Sequence, residues 1–282
     1  MAALTLFHIS DLHFGREDAV ALDWVRSAIA AERPDAVLIT GDLTMRARHH
    51  EFRAACDWIT ALGVPVTVEV GNHDLPYFNL LERFVAPYRR YHAIERLIER
   101  ELDFPGFAVV PLKTTTRAQP RWPWVEGWVR PPALAQTLAA IDALPAGTRV
   151  FVTAHHPLLE RAPDGRRLTI GGEAAMAALA GRKVAAVLTG HVHDPFDLIR
   201  ETPQGPLRMI GAGTLSTRLR STPASYNRIE IGAAGVAVSA RNREHQPTAV
   251  IQVGEVPTGP LPGEVSAAPL RPLVQPSGLG GS

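Results

Sequence analysis

The sequence is poor in cysteine and in unbalanced charge. Cys56 is the only cysteine among 282 residues, so no internal disulfide can form, and a reducing compartment is favoured. The 29 basic residues are matched by 28 acidic ones, which leaves a formal net charge of +1. Because a global positive field is absent, nonspecific binding to nucleic acid is disfavoured. Any anion that binds must be attracted by a local charge.

Long apolar runs are also missing. No stretch approaches the roughly 18 apolar residues of a membrane-spanning helix. The chain passes from Met1 into a strand-like run at 4–10, which leaves no room for a signal peptide. We therefore expect a cytoplasmic protein without membrane contact. The hydrophobic fraction of 46% is sufficient for the core of one large domain.

Short runs of β-forming residues alternate with helical patterns along most of the chain. Strands are predicted at 4–10, 36–40, 64–70, 107–112, 149–154, 185–189 and 208–210. Helices are predicted at 19–32, 50–62 and 132–144. A hairpin is predicted at 226–231 and 236–241, joined by a strand at 249–253. The order predicts an α/β fold of two sheets flanked by helices, in a domain spanning 1–253.

Two segments depart from this rhythm. Residues 75–130 contain a predicted helical stretch, 78–102, and a tryptophan-rich run, and we predict a lid or substrate-facing insertion. The alternative is that Trp122, Trp124 and Trp128 cover the edge of the core. Residues 254–282 are rich in Pro, Gly and Ser, which predicts a flexible tail or an arm that joins a homo-oligomer.

Polar motifs follow several of the predicted strands. They are Asp11-x-His13, Gly41-Asp42, Gly71-Asn72-His73-Asp74, His155-His156 and Gly190-His191-x-His193. Side chains two residues apart on an extended backbone point to the same side, so each x-spaced pair can meet at one site. Carboxylate, amide and imidazole ligands without thiolate favour two divalent ions of Mn, Fe or Zn. The two oxygens of Asp42 can bridge ions about 3.5 to 4 Å apart.

The charge of such a centre indicates its substrate. Two divalent ions, two carboxylates and a bridging hydroxide leave about one positive charge, which favours an anionic phosphoester. The hydroxide would attack phosphorus in line. His73 is not needed as a ligand, so we predict that it protonates the leaving group or adds positive charge. We predict that Asp74 orients the His73 ring.

The motif set resembles the calcineurin-like metallophosphoesterase family, and it matches in order over residues 11–193. The resemblance implies a four-layer αββα sandwich of two mixed sheets, with a dimetal site at the carboxyl ends of the strands. It also implies two ligand sets that share one carboxylate. They are Asp11, His13, Asp42 and His193 for one ion, and Asp42, Asn72, His155 and His191 for the other.

Within the family, the spacing looks most like the bacterial cyclic-nucleotide phosphodiesterase-like branch. Many members that act on lipid A precursors carry Gly-Asn-Arg-Asp where this chain has Gly-Asn-His-Asp, and the protein phosphatase run Gly-Asp-x-x-Asp-Arg is absent. A departure is that Met45 to Arg48 replaces the glycine usual after Gly-Asp-Leu-Thr. Cyclic AMP is one possible substrate.

Three residues near the motifs have two interpretations each. His156 either supports the ligand His155 or positions the turn at Pro157. Arg46 and Arg48 either meet substrate anions or lie at a solvated helix start.

The leading hypothesis is metal-dependent hydrolysis of small phosphodiesters. The alternatives are a phosphomonoesterase of the same fold and a catalytically inactive binding scaffold. Binding to a nucleic acid polymer is not expected.

Overall fold

Two five-stranded sheets form the centre of the molecule in the computed structural model, which describes residues 3–159, 169–233 and 235–243. The strands are β1 (Leu4–Ile9), β2 (Ala36–Ile39), β3 (Val66–Val68), β4 (Phe107–Pro111), β5 (Gly127–Trp128), β6 (Arg149–Thr153), β7 (Thr169–Ile170), β8 (Ala186–Thr189), β9 (Phe196–Thr202), β10 (Gly205–Gly211), β11 (Ser225–Gly232) and β12 (Gly235–Asn242). The helices are α1 (Ala19–Glu32), α2 (His49–Thr60), α3 (Leu80–Val85), α4 (Arg89–Ile98), α5 (Pro131–Asp142) and α6 (Gly172–Ala180).

Both large sheets are mixed. The first has the order β12-β11-β1-β2-β3, in which β1, β2 and β3 are parallel, β11 is antiparallel to β1, and β12 is antiparallel to β11. The second has the order β4-β6-β8-β10-β9, in which only β9 is antiparallel to its neighbour. The short strands β5 and β7 pair separately.

Alternating side chains make four layers. Leu6 and Leu38 face the second sheet and pack with Phe151 and Leu188, whereas Phe7 and its neighbours on that face pack under the outer helices. A second outer core lies between β6, β8, β10 and the helices α5 and α6. Each sheet therefore buries both faces, which explains the nearly continuous apolar runs of β1, β2 and β8. The predicted αββα sandwich is confirmed.

The predicted helix at 78–102 is wrong in one respect, because it is two helices. α3 ends at Val85 and α4 begins at Arg89. Pro87 disfavours helical geometry at the residue before it, and Ala86 has φ −146° and ψ 60°. The expected strand at 249–253 and the tail at 254–282 lie outside the described residues. No helix in the described ranges is long and apolar enough to span a membrane.

Glu69 lies between the two sheets just after β3 and makes stability depend on pH. The residue is half-buried but its carboxyl group is enclosed, and it accepts a 2.5 Å hydrogen bond from Thr153 of β6. Burial raises the pKa of Glu69 to about 8; the Thr153 bond opposes this shift, and Glu99 and Glu95 add to it.

We expect Glu69→Gln to remove this pH dependence. Between pH 4.5 and 8 the folded protein holds a proton that the unfolded chain has released, so stability falls as pH rises through this window. The loss in the wild type should exceed the loss in the variant by about 2 to 4 kcal/mol, because Asp74 and Glu99, whose pKa values burial raises to about 7, still titrate in the variant. Urea unfolding of both proteins at pH 5 and pH 8.5 measures it. An equal change in the free energy of unfolding between pH 5 and pH 8.5 in the two proteins would contradict the raised pKa of Glu69.

Candidate metal centre

The predicted ligands follow the carboxyl ends of strands from both sheets. Asp11, Asp42 and Asn72 come after β1, β2 and β3, while His155 and His191 come after β6 and β8. Parallel strands bring these ends to one edge. The backbone bends sharply there, since five of the seven predicted ligands have positive φ values between 46° and 68°: Asp11, His13, Asp42, His191 and His193. Such conformations in non-glycine residues are uncommon and cluster at functional sites.

Asp11, His13 and His193 form the first cluster, and all three are buried. The Nε2 atoms of His13 and His193 lie 3.2 Å apart, and Asp11 Oδ1 lies 3.0 Å from His193 Nε2. Nevertheless Asp11 Oδ1 accepts no hydrogen bond of normal geometry within the described structure. An unsatisfied buried carboxylate oxygen beside two ring nitrogens has the environment of a cation ligand.

The second cluster is built on Asn72. Its Oδ1 atom lies 3.1 Å from both His155 Nε2 and His191 Nδ1. The close approach of this loop to Asp42 requires glycine at position 71, because a Cβ there would lie 2.0 Å from Asp42 Oδ1. The residues predicted for the second ion therefore come together.

Asp42 lies between the clusters. Its Oδ2 atom is 3.6 Å from His13 Nε2 and 3.5 Å from His155 Nε2, while Oδ1 accepts a 2.8 Å hydrogen bond from the His73 N–H. The sequence led us to expect a bridge through both oxygens. Because the main chain engages Oδ1, the structure leaves only Oδ2 facing both clusters.

Backbone carbonyls fix the tautomers of the histidines. His155 Nδ1 donates to Thr40 O at 2.7 Å, and His193 Nδ1 donates to Arg218 O at 2.6 Å. In the neutral form of each ring the Nε2 lone pair therefore faces the cluster, which is the usual arrangement for metal-bound imidazole. With two carboxylates, an amide oxygen and four imidazoles, the donor set fits divalent cations.

The carboxylates are held anionic. Burial acts to raise the pKa of Asp11, but His193 and His13 outweigh it and lower that pKa well below its usual value. Burial also acts to raise the pKa of Asp42, but His155 and His73 outweigh burial and hold that pKa well below its usual value. Burial acts to lower the pKa of His155, yet Asp42 raises it to about 9. The site thus contains anionic carboxylates beside an imidazole of raised pKa, and a bound cation would replace the proton of that imidazole.

The predicted role of Asp74 is corrected by its contacts. Its carboxylate accepts hydrogen bonds from the main-chain N–H groups of Leu43, Thr44 and Gly71 at 2.8 to 3.1 Å. The ring of His73 is oriented instead by the Met45 carbonyl, which accepts from Nδ1 at 2.8 Å. Burial raises the pKa of Asp74 to about 7, with Asp42 adding to the shift. Asp74 therefore connects the two loops that carry Asp42 and Asn72.

His156 supports the site without facing it. Its Nδ1 accepts from Thr114 Oγ1 and its Nε2 donates to Val125 O, both at 2.9 Å, and its ring packs 4.5 Å from that of His191. Both ring nitrogens are therefore occupied by protein groups. Burial and His155 lower the pKa of His156 to about 3, so it is neutral. The residue joins the ligand shell to the segment at 114–125.

A cavity of about 470 Å³ opens over the clusters. Its walls include Tyr77, Phe78, Val125 and Glu126 from the predicted insertion, together with Arg46 and Arg220. None of the described residues that line the cavity is a tryptophan. Trp124 packs on Phe84, and Trp122 is exposed.

Arg218 is a residue that the sequence did not reveal. Its Nη1 atom donates to both His13 Nε2 and His73 Nε2 at 3.1 Å, at the floor of the same cavity. No motif spacing marks it among the other arginines. The loop that carries Arg218 is held at the site by the hydrogen bond from His193 Nδ1 to the Arg218 carbonyl oxygen.

Comparison with known families agrees with this geometry. The model of the calcineurin-like phosphoesterases matches residues 4–195, a range that contains every predicted ligand. The chain belongs to the calcineurin-like phosphoesterase family. No curated protein matches it in sequence. The family fold and the Asp/His clusters together indicate hydrolysis of phosphoesters with divalent metals.

Solved structures show the same fold. A dimetal phosphatase from Danio rerio is 17% identical, with 88% of this chain and 98% of that chain covered and a TM-score of 0.61. A purple acid phosphatase from yellow lupin (Lupinus luteus) seeds is 12% identical, with 88% and 53% covered and a TM-score of 0.59. At these identities the similarity establishes the calcineurin-like fold alone.

Proposed function

We propose that the protein hydrolyses phosphodiester bonds in small substrates with two divalent ions, of Mn, Fe or Zn. The observation that carries the proposal is the position of Asp42 Oδ2, which faces ligands of both clusters. One ion would be held by Asp11, His13 and His193 with Asp42, and the other by Asn72, His155 and His191 with Asp42. When bound, the ions acidify a water molecule and withdraw charge from the phosphoryl group.

The charge of the ligand set favours a diester. Asp11 and Asp42 are its carboxylates, and its other members are neutral amide and imidazole groups. With two divalent ions and one bound hydroxide, the centre would therefore keep about one positive charge, which matches the single negative charge of a phosphodiester. A cyclic nucleotide has this charge and its size suits the cavity of about 470 Å³.

The chain itself supplies the proton and the orientation. His73 Nε2 faces the cavity, because Nδ1 donates to the Met45 carbonyl. Nε2 accepts from Arg218 in this structure, so it would deliver a proton to a leaving oxygen as the imidazolium, once Arg218 has turned to the phosphoryl group. Arg218 lies beside it and can hold a non-bridging phosphoryl oxygen. Tyr77 and Phe78 line the cavity, which supports a substrate-facing role for part of residues 75–130.

A phosphomonoester is the second candidate, and the arginines favour it. Arg46, Arg218 and Arg220 line the cavity and add positive charge that a dianionic terminal phosphate would use. The sequence-based alternative of an inactive scaffold has no support from the ligand clusters, which are all present.

Paired substrates test the proposal directly. The purified protein is loaded in turn with Mn, Fe and Zn, and kcat/KM is measured on bis-p-nitrophenyl phosphate, p-nitrophenyl phosphate and cyclic AMP. We expect the bis ester to be preferred over the monoester. A faster monoester reaction would favour the second candidate, and no turnover with any metal would contradict both.

We expect Arg218→Gln to lower kcat/KM by about 10- to 100-fold, because a charged contact to phosphoryl oxygen is lost. Metal content should stay at the wild-type value, because the side chain is not among the predicted ligands. Arg220→Gln is the matched control, since Arg220 lines the same cavity without the contacts to His13 and His73. Equal effects of the two changes would show that general positive charge matters rather than position.

A further inference from the structure

Helix α3 is inverted relative to an ordinary surface helix. Leu80, Leu81, Phe84 and Val85 are exposed, whereas Glu82 and Arg83 between them are buried. Leu81 exposes 76% of its surface and the adjacent Glu82 only 7%. A surface helix normally buries its apolar side chains and exposes its charges. α3 therefore exposes apolar side chains that a surface helix normally buries.

Polar contacts hold the inversion in place. Glu82 pairs with Arg89 at 2.9 Å and also with Arg90. Arg83 donates to the carbonyl oxygens of Arg117 at 2.8 Å and Pro76 at 3.2 Å. Rotating α3 to bury the leucines would break all of these bonds and leave charges without partners. The exposed apolar surface is thus a fixed property of the folded chain.

The surface extends beyond the helix. Tyr77 and Phe78 precede α3, are exposed, and contact each other with ring centroids 5.1 Å apart. Trp122, exposed by 79%, continues the surface through Trp124, whose ring contacts both Trp122 and Phe84. We name the exposed set the apolar face: Tyr77, Phe78, Leu80, Leu81, Phe84, Val85 and Trp122. Exposed apolar patches of this kind mark interaction sites.

Arginines border the apolar face. The guanidinium groups of Arg46 and Arg48 lie 5.6 and 5.9 Å from the centre of the Phe78 ring. Arg117 donates to the Phe84 carbonyl at 2.7 Å and is exposed. The segment 113–130, which carries Trp122, has four basic residues and one acidic residue. Apolar side chains within a basic rim are typical of proteins that lie on anionic lipid.

We propose that the apolar face docks on the surface of an anionic lipid bilayer. Leu81, Val85 and Trp122 would enter the headgroup region, and the arginines would meet lipid phosphates. Tyr77 and Phe78 also line the cavity of the metal centre, so docking places the mouth of that cavity at the lipid surface. The proposal differs from the expectation from sequence that the protein has no membrane contact.

A second copy of this chain fits the apolar face less well. A two-fold interface through the face would bring the arginine rim of one copy against the same rim of the other. Like charges would then oppose each other at the edge of the contact, whereas an anionic bilayer neutralises them.

The test uses the full-length, metal-loaded protein and vesicles of phosphatidylcholine with and without phosphatidylglycerol. We expect cosedimentation with the anionic vesicles and its reduction by salt. The double variant Leu81→Ser/Val85→Ser should bind about tenfold more weakly. Val20→Ser is the matched control, because Val20 on α1 is also exposed, by 66%, and should bind as the wild type does.

Hydrolysis of bis-p-nitrophenyl phosphate in solution separates this proposal from the proposed function, since the double variant should keep the wild-type rate. Quenching of tryptophan fluorescence by brominated lipid in the otherwise unaltered protein, reduced in Trp122→Phe, locates the contact without disturbing α3. Absence of binding to anionic vesicles, or equal binding by the double variant, would overturn docking. Self-association of the wild type that the double variant loses would instead identify a second copy as the occupant.

Discussion

Asp42→Asn is expected to lower the bound metal from about two ions per chain to one or fewer, and kcat by about 10³-fold. The physical reason is that Asp42 Oδ2 lies 3.6 Å from His13 Nε2 in one cluster and 3.5 Å from His155 Nε2 in the other. An amide in its place offers either a neutral oxygen or an NH₂ group, and neither can bridge two cations. Elemental analysis after gel filtration measures the metal, so the result does not depend on the choice of substrate.

Asparagine is a sharper probe than alanine at this position. Asp42 has φ +54°, a conformation that asparagine tolerates better than alanine. The side-chain oxygen of asparagine can still accept from the His73 N–H, as Oδ1 does in the wild type. Asp23→Asn on α1 is the control, because Asp23 is exposed and pairs at 2.8 Å with Arg26 on the same helix. A variant that keeps two ions at wild-type affinity would refute the bridging assignment.

His73→Ala is expected to slow alkyl diesters by about 10²-fold or more and nitrophenyl diesters by much less. An alkoxide leaving group needs a proton, whereas nitrophenolate is stable without one. Because Met45 holds Nδ1, Nε2 of the imidazolium is the atom that would supply that proton. Comparing kcat across leaving groups of increasing basicity gives the dependence, which should be steeper in the variant than in the wild type.

His156→Ala provides the contrast for this experiment. It removes a buried imidazole that packs on His191 but has both ring nitrogens bound by protein groups. Its effect should be the same for all leaving groups and accompanied by weaker metal binding. If His73→Ala shows equal losses across the series, His73 stabilises charge on the phosphoryl group instead of donating a proton.

The sequence predicted the elements that carry strong apolar periodicity. α1 was predicted with its observed bounds, and β1, β2 and β8 within one residue of theirs. The strands are buried, α1 buries one apolar face, and each element is followed closely by Pro, Gly or a polar motif. β9 was missed, since it lies at a sheet edge and contains charged residues, of which Asp197 and Arg200 are half-buried and Glu201 is exposed. Edge strands lack the apolar signal that burial imposes on central strands.

The predicted ligands come together in the structure, yet their geometry could not be predicted. Motif spacing indicates which residues meet, but main-chain contacts decide how each side chain points. The His73 N–H selects which oxygen of Asp42 faces both clusters, and the Met45 carbonyl replaces Asp74 as the partner of the His73 ring. Arg218 reaches the cavity through a loop whose path depends on tertiary packing alone.

The pairing of β1 with β11 has a consequence for the order in which the molecule is made. β1 lies between β2, which follows it closely in the chain, and β11, which begins more than 200 residues later at Ser225. During synthesis, one edge of β1 therefore has no native partner until almost the whole described chain has left the ribosome. An unpaired edge in a nascent chain is a site of misassociation. The loop after β1 that carries Asp11 also lacks a native contact until late, because Thr214, which donates to the Asp11 carbonyl, is made only shortly before β11.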